Sequence, residues 1–318
     1  MARSMAFIGI STAQSSMMKI FPAWRDLLGL GADLELTGCD LPLHASARQY
    51  RDVVVRMKGD SSSVGGLVTT HKIDLYRAAA DLFDELDAAA RMLGEISAIA
   101  RRNGRLLGYA TDPISAGRTL DDLLGPDYFA RTGAHTLLLG GGGAGTAIML
   151  YLLARRDAAD RPQRVIVVDA DPDRLANLKG VAVQAGFAAS IECVLNRDPR
   201  VNDALVGELP PGSLVANATG MGKDTPGAPV TTDVLFPLDG VVWDLNYRGQ
   251  LDFMSYAMPQ RAARRLRVED GWQYFIYGWA AVLEKVFDRF ISREELTALG
   301  KAAAPFRPAP AGLSQERG

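Results

Sequence analysis

A glycine-rich loop is the part of this sequence in which the spacing of residues most clearly indicates ligand binding. It lies in HTLLLGGGGAGTAIMLYLLARR, between an apolar, strand-like run and a run with helical periodicity. Gly140, Gly142 and Gly145 occupy a G-x-G-x-x-G motif, with Gly143 and Ala144 between the last two. Such glycines permit a tight turn, close approach of the backbone to a pyrophosphate, and close packing of helix on strand. The helix N-terminus adds a partial positive charge, so the loop predicts a dinucleotide site.

The acidic residue after the next strand bears on which dinucleotide is bound. In RVIVVDADPDRL the strand ends at Asp169, where a carboxylate would accept hydrogen bonds from ribose hydroxyls. A carboxylate there also repels a 2′-phosphate, so we expect NAD as the cofactor, with NADP not excluded. The alternative is that Asp169 or Asp171 simply caps the following helix. Arg174 is close enough in sequence to approach a phosphate.

Proton transfer needs titratable side chains outside the dinucleotide domain, because such a cofactor carries only hydride. In GGLVTTHKIDLY, Thr69, Thr70 and Lys72 follow a strand, the position at which α/β sheets present ligands. A lysine there acts as a general acid or base when its surroundings adjust its pKa. The alternative is a solvated lysine in the first turn of a helix. Asp112, in GYATDPISAG, suits a helix N-cap, and spacing alone does not pair it with Lys72.

Composition and charge exclude some classes of partner. The chain has 318 residues, enough for two domains, with 48% hydrophobic residues, 23% charged residues and a net charge of -2. This balance predicts neither nucleic acid nor an anionic membrane as a partner. No apolar run is long enough to cross a bilayer, so we expect a cytoplasmic protein. Cys39 and Cys193 lack metal-ligand spacing, so we expect buried thiols and no bound metal.

The alternation of elements predicts the fold class. Short β-rich runs alternate with longer runs of helical period, which is typical of βα units around a parallel sheet. We predict an α/β protein with an N-terminal α/β substrate domain, a C-terminal Rossmann-type dinucleotide-binding domain, and the active site in the cleft between them. The substrate domain is predicted to cover 1–117, completed by helices at 271–303, and the dinucleotide domain 118–270.

Local signals place some of the individual elements. A short strand is predicted at 107–110 and a helical stretch around 251–264. Ser292 and Glu295 have the spacing of a capping box, which predicts the start of the last helix. The proline-rich tail at 304–318 is expected to be disordered.

The order of the motifs resembles that of the shikimate dehydrogenase and quinate/shikimate dehydrogenase family, over nearly the whole chain apart from the tail. The segments that carry this resemblance are GISTAQSSMM, LVTTHK, YATD, GGGGAG, ANATGMG and DGWQYFIYGW. The resemblance implies an NAD(P)-dependent oxidoreductase of aromatic amino acid biosynthesis, acting on a secondary alcohol or ketone of a hydroxylated ring acid such as shikimate or quinate. It also implies that Lys72 and Asp112 form the pair that moves the proton.

The departures from the family pattern lie on the substrate side. Ser15 matches the first serine of the family's S-x-S pair, whereas Met17 stands at the second. The asparagine of the family's G-A-V-N-T segment falls on Ser97, and the late glutamine falls on Gly278, beside Tyr277. These changes favour a different or less oxygenated substrate. The substrate contacts that the resemblance implies are Ser15, Thr69, Thr70, Ser97, Tyr247 and Tyr277.

The resemblance adds contacts in the dinucleotide domain. ANATGMG implies that a turn bearing Asn217, Thr219, Gly220 and Met221 lies near the nicotinamide ribose. WDLNYRG resembles a D-x-x-Y-x-P segment, which makes Tyr247 a site candidate. NADP-binding members carry N-R-T where this chain has Asp-Ala-Asp, which agrees with the expectation of NAD.

Two other functions stay open at this level. A methylene-tetrahydrofolate dehydrogenase shares the two-domain plan and also uses a lysine. A dinucleotide-sensing regulatory protein would keep the fold without catalysis, although such a protein needs neither Lys72 nor Asp112. In each case the expected partner is a small molecule, and a monomer and a homodimer are both compatible with the sequence.

Overall fold

The computed structural model describes residues 2–43, 45–223 and 225–309. Its contacts divide the chain into two compact units. The N-terminal unit comprises Met1–Ser115 and Phe275–Arg307, and the central unit comprises Ala116–Tyr274. Among the described residues, no helix combines the length and the apolar character that crossing a bilayer requires.

The N-terminal unit is a mixed sheet flanked by helices. Its strands are β1 Arg3–Gly9, β2 Leu34–Asp40, β3 Ser63–Val68, β4 Glu85–Leu86, β5 Ala98–Arg102 and β6 Arg105–Tyr109. Its helices are α1 Met17–Leu27, α2 Ala47–Gly59, α3 Lys72–Ala79, α4 Ala88–Leu93, the start of α5 Asp112–Leu124, most of α12 Trp272–Phe287, and α13 Arg293–Ala303.

The sheet of this unit has the order β2-β1-β3-β5-β6-β4. β1 is parallel to β2 and to β3, whereas β5 is antiparallel to both of its neighbours. Because β3 and β6 both run opposite to β5, their carboxyl ends reach the same edge of the sheet. The sequence pattern did not predict β5, although Asn103-Gly104 is a strong hairpin signal. These two residues have φ of 51° and 77° and join β5 directly to β6.

The core of the N-terminal unit forms where amphipathic helices cover this sheet. α2 places Tyr50, Val53, Val54 and Met57 on one face, at the spacing of successive helical turns, and all four are buried. They pack in one cluster with apolar residues of the sheet such as Ile8. The sheet edge that carries the loops is therefore supported by a rigid base.

The central unit is built on a parallel sheet. Its strands are β7 Thr136–Leu139, β8 Val165–Asp169, β9 Ile191–Leu195, β10 Leu214–Asn217, β11 Val241–Asp244 and β12 Arg267–Glu269. The helices wholly inside it are α6 Tyr128–Thr132, α7 Gly143–Leu153, α8 Pro172–Gln184, α9 Pro199–Gly207, α10 Asp252–Ala257 and α11 Arg261–Arg264.

This sheet has the order β12-β11-β10-β7-β8-β9, with every pairing parallel. The order reverses between β7 and β10, and ligands of such folds bind beyond the strand ends at that switch point. The α/β class and the Rossmann-type sheet predicted from the sequence are confirmed. The helical stretch predicted around 251–264 is confirmed, and a 3₁₀ turn at Met258–Gln260 divides it into α10 and α11. Pro259 lies in that turn and has no N–H to donate.

The C-terminal end combines a confirmed prediction with a correction. Ser292 and Glu295 form both hydrogen bonds of a capping box at the start of α13. The tail predicted to be disordered begins instead with a 3₁₀ turn, Ala304–Phe306. The remainder of that prediction, at 310–318, lies outside the described residues.

Candidate functional site

A lysine–aspartate ion pair lies at the loop edge of the N-terminal sheet. Lys72 is the first residue of α3, after β3, and Asp112 is the first residue of α5, after β6. The Lys72 Nζ donates to both Asp112 carboxylate oxygens, at 2.6 Å each. The Lys72 side chain is 26% exposed and that of Asp112 10%, so the pair is largely buried. The structure therefore makes the pairing that spacing alone did not predict.

Backbone and side-chain bonds fix the positions of the two partners. The Ser97 Oγ lies 2.9 Å from the Thr111 Oγ1 and accepts a hydrogen bond from the Thr111 N–H at 2.6 Å. The Ile96 N–H donates to the Lys72 carbonyl at 3.1 Å. The buried Ser97 hydroxyl thus holds the residue before Asp112, and this is the role that the structure gives it.

A third ionisable group near this pair, which the sequence reasoning missed, is influenced by its charges. Glu95 is 2% exposed, and its Oε1 accepts no hydrogen bond from the described residues. Burial and the neighbouring Asp112 carboxylate raise the pKa of Glu95 to about 8, against the opposing effect of Lys72. Burial lowers the pKa of Lys72, but the carboxylates of Asp112 and Glu95 outweigh it and leave that pKa raised. Lys72 therefore carries a proton at neutral pH.

The predicted substrate contacts Ser15, Thr69 and Thr70 follow β1 and β3, which are parallel neighbours. The Thr69 N–H donates to the Ile8 carbonyl at 3.0 Å, and the exposed Thr70 follows it. The Ser15 Oγ accepts a hydrogen bond from the Met17 N–H at 3.3 Å. These residues lie at the same edge of the sheet as Lys72. Met17, which replaces a serine of the family pattern, is fully buried.

The late helix of the N-terminal unit carries the predicted contact Tyr277. Tyr277 is half-buried on α12, and Gly278 follows it. A Cβ atom at Gly278 would meet no other heavy atom within 4 Å. Open space thus stands where the family pattern has a glutamine side chain.

The glycine loop of the central unit has the geometry that its motif predicts. Gly140 has a φ of 114°, and a Cβ there would lie 2.8 Å from the Ala218 backbone. A Cβ at Gly145 would lie 2.0 Å from the Gly140 carbonyl oxygen, whereas one at Gly142 would meet nothing within 4 Å. Gly143 and Ala144 form the first turn of α7. The loop is therefore closed on its inner side and open at Gly142.

The Asp169 carboxylate holds this loop. It accepts a hydrogen bond from the Gly141 N–H at 2.7 Å and another from the Asp171 N–H at 2.9 Å. The Arg174 Nη1 lies 4.0 Å from Asp169, and the Arg174 side chain is 61% exposed. Asp171 caps α8 by accepting from the Asp173 N–H at 2.9 Å. The capping alternative is therefore confirmed for Asp171.

The turn after β10 packs beside the glycine loop. The buried Asn217 accepts hydrogen bonds from the Thr219 N–H at 3.1 Å and the Thr219 Oγ1 at 2.6 Å. The Asn217 Nδ2 donates to the Asp244 Oδ1 at 3.1 Å. The Asn246 Nδ2 donates to the Met221 carbonyl at 3.0 Å. Asn217 is 0% exposed, so its amide shapes the turn.

Other groups at these strand ends complete the central site. Burial raises the pKa of Asp244 to about 7, although hydrogen bonds from Asn246 and Asn217 oppose the rise. Gly220 is exposed at the tip of the turn. The Tyr247 ring lies 5.3 Å from that of Trp272, and burial raises the pKa of Tyr247. Among the described residues, no group of three or more histidine, cysteine, aspartate or glutamate side chains is placed to hold a metal ion.

Comparison with curated proteins finds relatives over part of the chain. The shikimate dehydrogenase (NADP(+)) of Streptococcus gordonii is 31% identical over 180 residues, which cover 56% of this chain and 58% of that protein. The enzyme of the same name from Salinibacter ruber is 34% identical over 188 residues, 58% of this chain and 60% of that protein. The chain thus matches less than two thirds of the length of these relatives. No protein-family model matches it.

Comparison with solved structures covers nearly the whole chain. A quinate dehydrogenase from Corynebacterium glutamicum in complex with NAD has a TM-score of 0.73 and 20% identity, covering 96% of this chain and 99% of that one. A shikimate 5-dehydrogenase from Thermus thermophilus, in complex with NADP(H) and shikimate, has a TM-score of 0.69 and 23% identity with the same coverage. A 5-ketofructose reductase of a Gluconobacter species also has a TM-score of 0.69, at 19% identity, covering 96% of this chain and 99% of that one.

The partial sequence matches and the shared fold agree with each other. The resemblance to the shikimate and quinate dehydrogenase family that the motifs indicate is confirmed.

Proposed function

We propose that the chain is a nicotinamide-dependent oxidoreductase of the shikimate dehydrogenase type, which interconverts a secondary alcohol and a ketone. The observation that carries this proposal is the largely buried ion pair of Lys72 and Asp112, with both contacts at 2.6 Å. A dinucleotide-sensing protein has no use for such a pair. The pair supplies the proton chemistry that a dehydrogenase needs in addition to its cofactor.

The glycine loop suits the pyrophosphate of a nicotinamide dinucleotide, which would supply or accept the hydride when bound. Gly142 leaves the space that a phosphate would need, and the first turn of α7 offers backbone N–H groups and the positive end of the helix dipole. We propose that Gly140, Gly142 and Gly145 hold the pyrophosphate. The turn at Thr219, Gly220 and Met221 would serve the nicotinamide side.

The choice between NAD and NADP rests on two opposed observations. The curated relatives are named as NADP(+) enzymes, which favours NADP. The Asp169 carboxylate opposes a 2′-phosphate, but it is tied to Gly141 and faces Arg174 at 4.0 Å. Arg174 is 61% exposed and pairs with Asp171 and Asp169 at 3.7 and 4.0 Å, long distances that leave its guanidinium able to turn toward a phosphate. Arg174→Ala is expected to lower kcat/KM with NADP about tenfold and to leave NAD little changed, measured beside Arg200→Ala as a surface control.

Lys72 would act on the substrate oxygen. In the direction of ketone reduction its ammonium donates a proton to the developing alkoxide, and in oxidation the neutral amine accepts one. Asp112 holds the Lys72 Nζ and favours the protonated form. The proton transfer is therefore assigned to Lys72, with Asp112 setting its position and charge.

The substrate that we propose is a hydroxylated ring acid, of the shikimate or quinate class, or a close analogue. Ser15, Thr69 and Thr70 lie at one edge of the sheet, and their hydroxyl groups would bind this substrate. The buried Met17 and the open space at Gly278 remove two polar contacts of the family pattern. These two changes favour an analogue with fewer or rearranged oxygen substituents.

A turnover screen tests the proposal. The wild-type chain is assayed with NAD and NADP against shikimate, quinate and other cyclic alcohols and their ketones, followed by nicotinamide absorbance. We expect turnover with at least one pair, and a loss of about 100-fold or more in Lys72→Ala with dinucleotide affinity retained. Lys19→Ala, at an exposed position of α1, is the matched control. Dinucleotide binding without turnover on the whole panel would overturn the proposal in favour of a sensing role.

A further inference from the structure

A buried threonine anchors the loop that follows β1 and leads to Ser15. Thr12 is 3% exposed, whereas the residues on either side of it, Ser11 and Ala13, are exposed. A 3₁₀ turn, Thr12–Gln14, begins at this residue, and the Ser15 N–H donates to the Thr12 carbonyl at 3.0 Å. The loop is therefore attached to the N-terminal unit at Thr12, in the same turn that ends at a proposed substrate contact.

The Asp40 carboxylate fixes Thr12 by two hydrogen bonds. Its Oδ1 accepts from the Thr12 Oγ1 at 2.6 Å and from the Thr12 N–H at 2.9 Å. These bonds hold the pKa of the Asp40 carboxyl below its usual range, so the acceptor is charged, which strengthens such bonds. Asp40 is the last residue of β2, and the next residue, Leu41, donates its N–H to the Gly9 carbonyl at 2.7 Å. The loop is thus tied to the ends of two neighbouring strands.

Two glycines leave the space that the Thr12 side chain occupies. A Cβ at Gly38, on β2, would overlap the Thr12 Oγ1. A Cβ at Gly9, the last residue of β1, would lie 3.0 Å from the Thr12 Cγ2 and 2.9 Å from the Thr69 Cγ2. Neither glycine has a positive φ, so the absence of a Cβ serves the close approach of a side chain rather than an unusual backbone conformation. The methyl groups of Thr12 and Thr69 therefore lie over the same glycine.

We propose that Thr12 and Asp40 are positioning residues for the substrate, which act through Ser15 and Thr69. The inference rests on the proposed function, in which Ser15 and Thr69 bind the substrate. Ser15 ends the turn that begins at Thr12, and Thr69 packs over the same glycine as Thr12. Loss of the two Thr12–Asp40 bonds lets both of these hydroxyl groups move, and substrate binding then weakens. Proton transfer is left intact, because the ion pair that performs it comes from other segments.

Substrate kinetics test the proposal. Thr12→Val keeps the shape and the N–H of the residue but removes its hydroxyl group, whereas Asp40→Ala removes the acceptor of both bonds. With the alcohol or ketone of the turnover panel that reacts fastest, we expect KM for that substrate to rise about tenfold in each variant and kcat to change less than about twofold. Thr37→Val, also on β2, loses a hydroxyl that lies 3.2 Å from the Ser4 Oγ, and it should match the wild type.

Conservative variants separate positioning from a general loss of structure. Asp40→Asn keeps an oxygen that accepts both bonds, and Thr12→Ser keeps the hydroxyl group, so each should hold KM to within about threefold of the wild type. Gly38→Ala removes no polar group, but its Cβ would overlap the Thr12 Oγ1, and it should raise KM as Thr12→Val does. Gly59→Ala, where a Cβ would meet nothing within 4 Å, is its control.

A second measurement does not depend on turnover. Amide hydrogen exchange of residues 11–16, followed by mass spectrometry, should become about tenfold faster in Asp40→Ala, because the bonds that hold this loop are gone. The amides of α3 should exchange as in the wild type. An unchanged rate at residues 11–16 would overturn the proposal, whatever the kinetics show.

The outcomes separate this proposal from the dehydrogenase itself. Wild-type turnover with an unchanged KM in Thr12→Val and Asp40→Ala would remove the positioning role and leave the dehydrogenase intact. A fall in kcat and in dinucleotide affinity as large as the rise in KM would show a general structural role, and would also overturn the proposal. An inert wild type on the whole panel would remove the dehydrogenase, and the positioning role with it.

Discussion

The candidate sites of the two units differ in the chemical groups that form them. In the N-terminal unit the candidate site consists of charged side chains, with Lys72 and Asp112 coming from two segments. In the central unit it consists mainly of backbone, shaped by glycines that leave no room for a Cβ or offer open space. A charged site depends on exact partners, whereas a backbone site depends on the path of the chain.

The buried carboxyl of each unit shows the same difference. Asp244 accepts hydrogen bonds from Asn217 at 3.1 Å and from the Asn246 N–H at 3.0 Å. Both of these bonds reach the Asp244 Oδ1, whereas the Asp244 Oδ2 and the Glu95 Oε1 have no hydrogen-bond partner among the described residues. Burial raises the pKa of Asp244 to about 7, and hydrogen bonds oppose this rise. Burial raises the pKa of Glu95 to about 8, and the charge of Lys72 opposes that rise.

Removing the charge of Asp112 is the most severe test of this comparison. In Asp112→Asn, Lys72 loses its bonded carboxylate, and we expect kcat to fall by about 100-fold or more. Dinucleotide affinity, measured by calorimetry, should remain unchanged, because the glycine loop needs no such charge. Asp52→Asn, at an exposed position of α2, is the control. A parallel loss of affinity would contradict the independence of the two sites.

The glycine loop is tested by adding one methyl group. In Gly145→Ala the new Cβ would lie 2.0 Å from the Gly140 carbonyl oxygen, so the loop must shift. We expect dinucleotide affinity to fall about tenfold or more and stability to fall by about 1–3 kcal/mol. Gly207→Ala, where the new Cβ meets nothing within 4 Å, should leave affinity unchanged. An unaltered affinity in Gly145→Ala would show that close packing at this position is not needed.

The buried aspartate of the central unit predicts a dependence of stability on pH. A carboxyl with a raised pKa stabilises the fold fully below its unfolded pKa, and this contribution is lost as pH rises through the folded value of about 7. Asp244→Asn removes that titration. Relative to the wild type, the variant should gain up to about 1.4 kcal/mol per pH unit between about pH 4 and pH 7. Urea unfolding across this range measures the gain, with the exposed Asp233→Asn as a control that should show none.

The smallest effect is expected at a glycine remote from both sites. Gly180 lies within α8, and a Cβ there would meet nothing within 4 Å. Gly180→Ala should raise the free energy of unfolding by about 0.5–1 kcal/mol, since alanine is the better helix former. Gly186→Ala has the same open space but a φ of 80°, so it should destabilise the fold. A change in turnover or dinucleotide affinity in Gly180→Ala would mean that the candidate sites depend on structure far from them.

The sequence by itself determined the backbone site. The motif of Gly140, Gly142 and Gly145 lies within one strand, turn and helix, so it can be predicted from neighbouring residues, although Ala218 and Asp169 from other strands also contact the loop. The capping box at Ser292 and the α/β class are local in the same sense. Such local structure depends on residues that are close together in the sequence, so it can be predicted without knowing the fold.

The charged site was decided by the tertiary structure. Lys72 and Asp112 are 40 residues apart, and they meet because β5 pairs antiparallel with both β3 and β6. The sequence pattern did not predict β5, so it could not bring the carboxyl ends of β3 and β6 to one edge or place Glu95 beside them. The burial of a side chain and its pairing with other charges depend on residues from distant segments of the chain. Only the tertiary structure determines which of those residues become its neighbours.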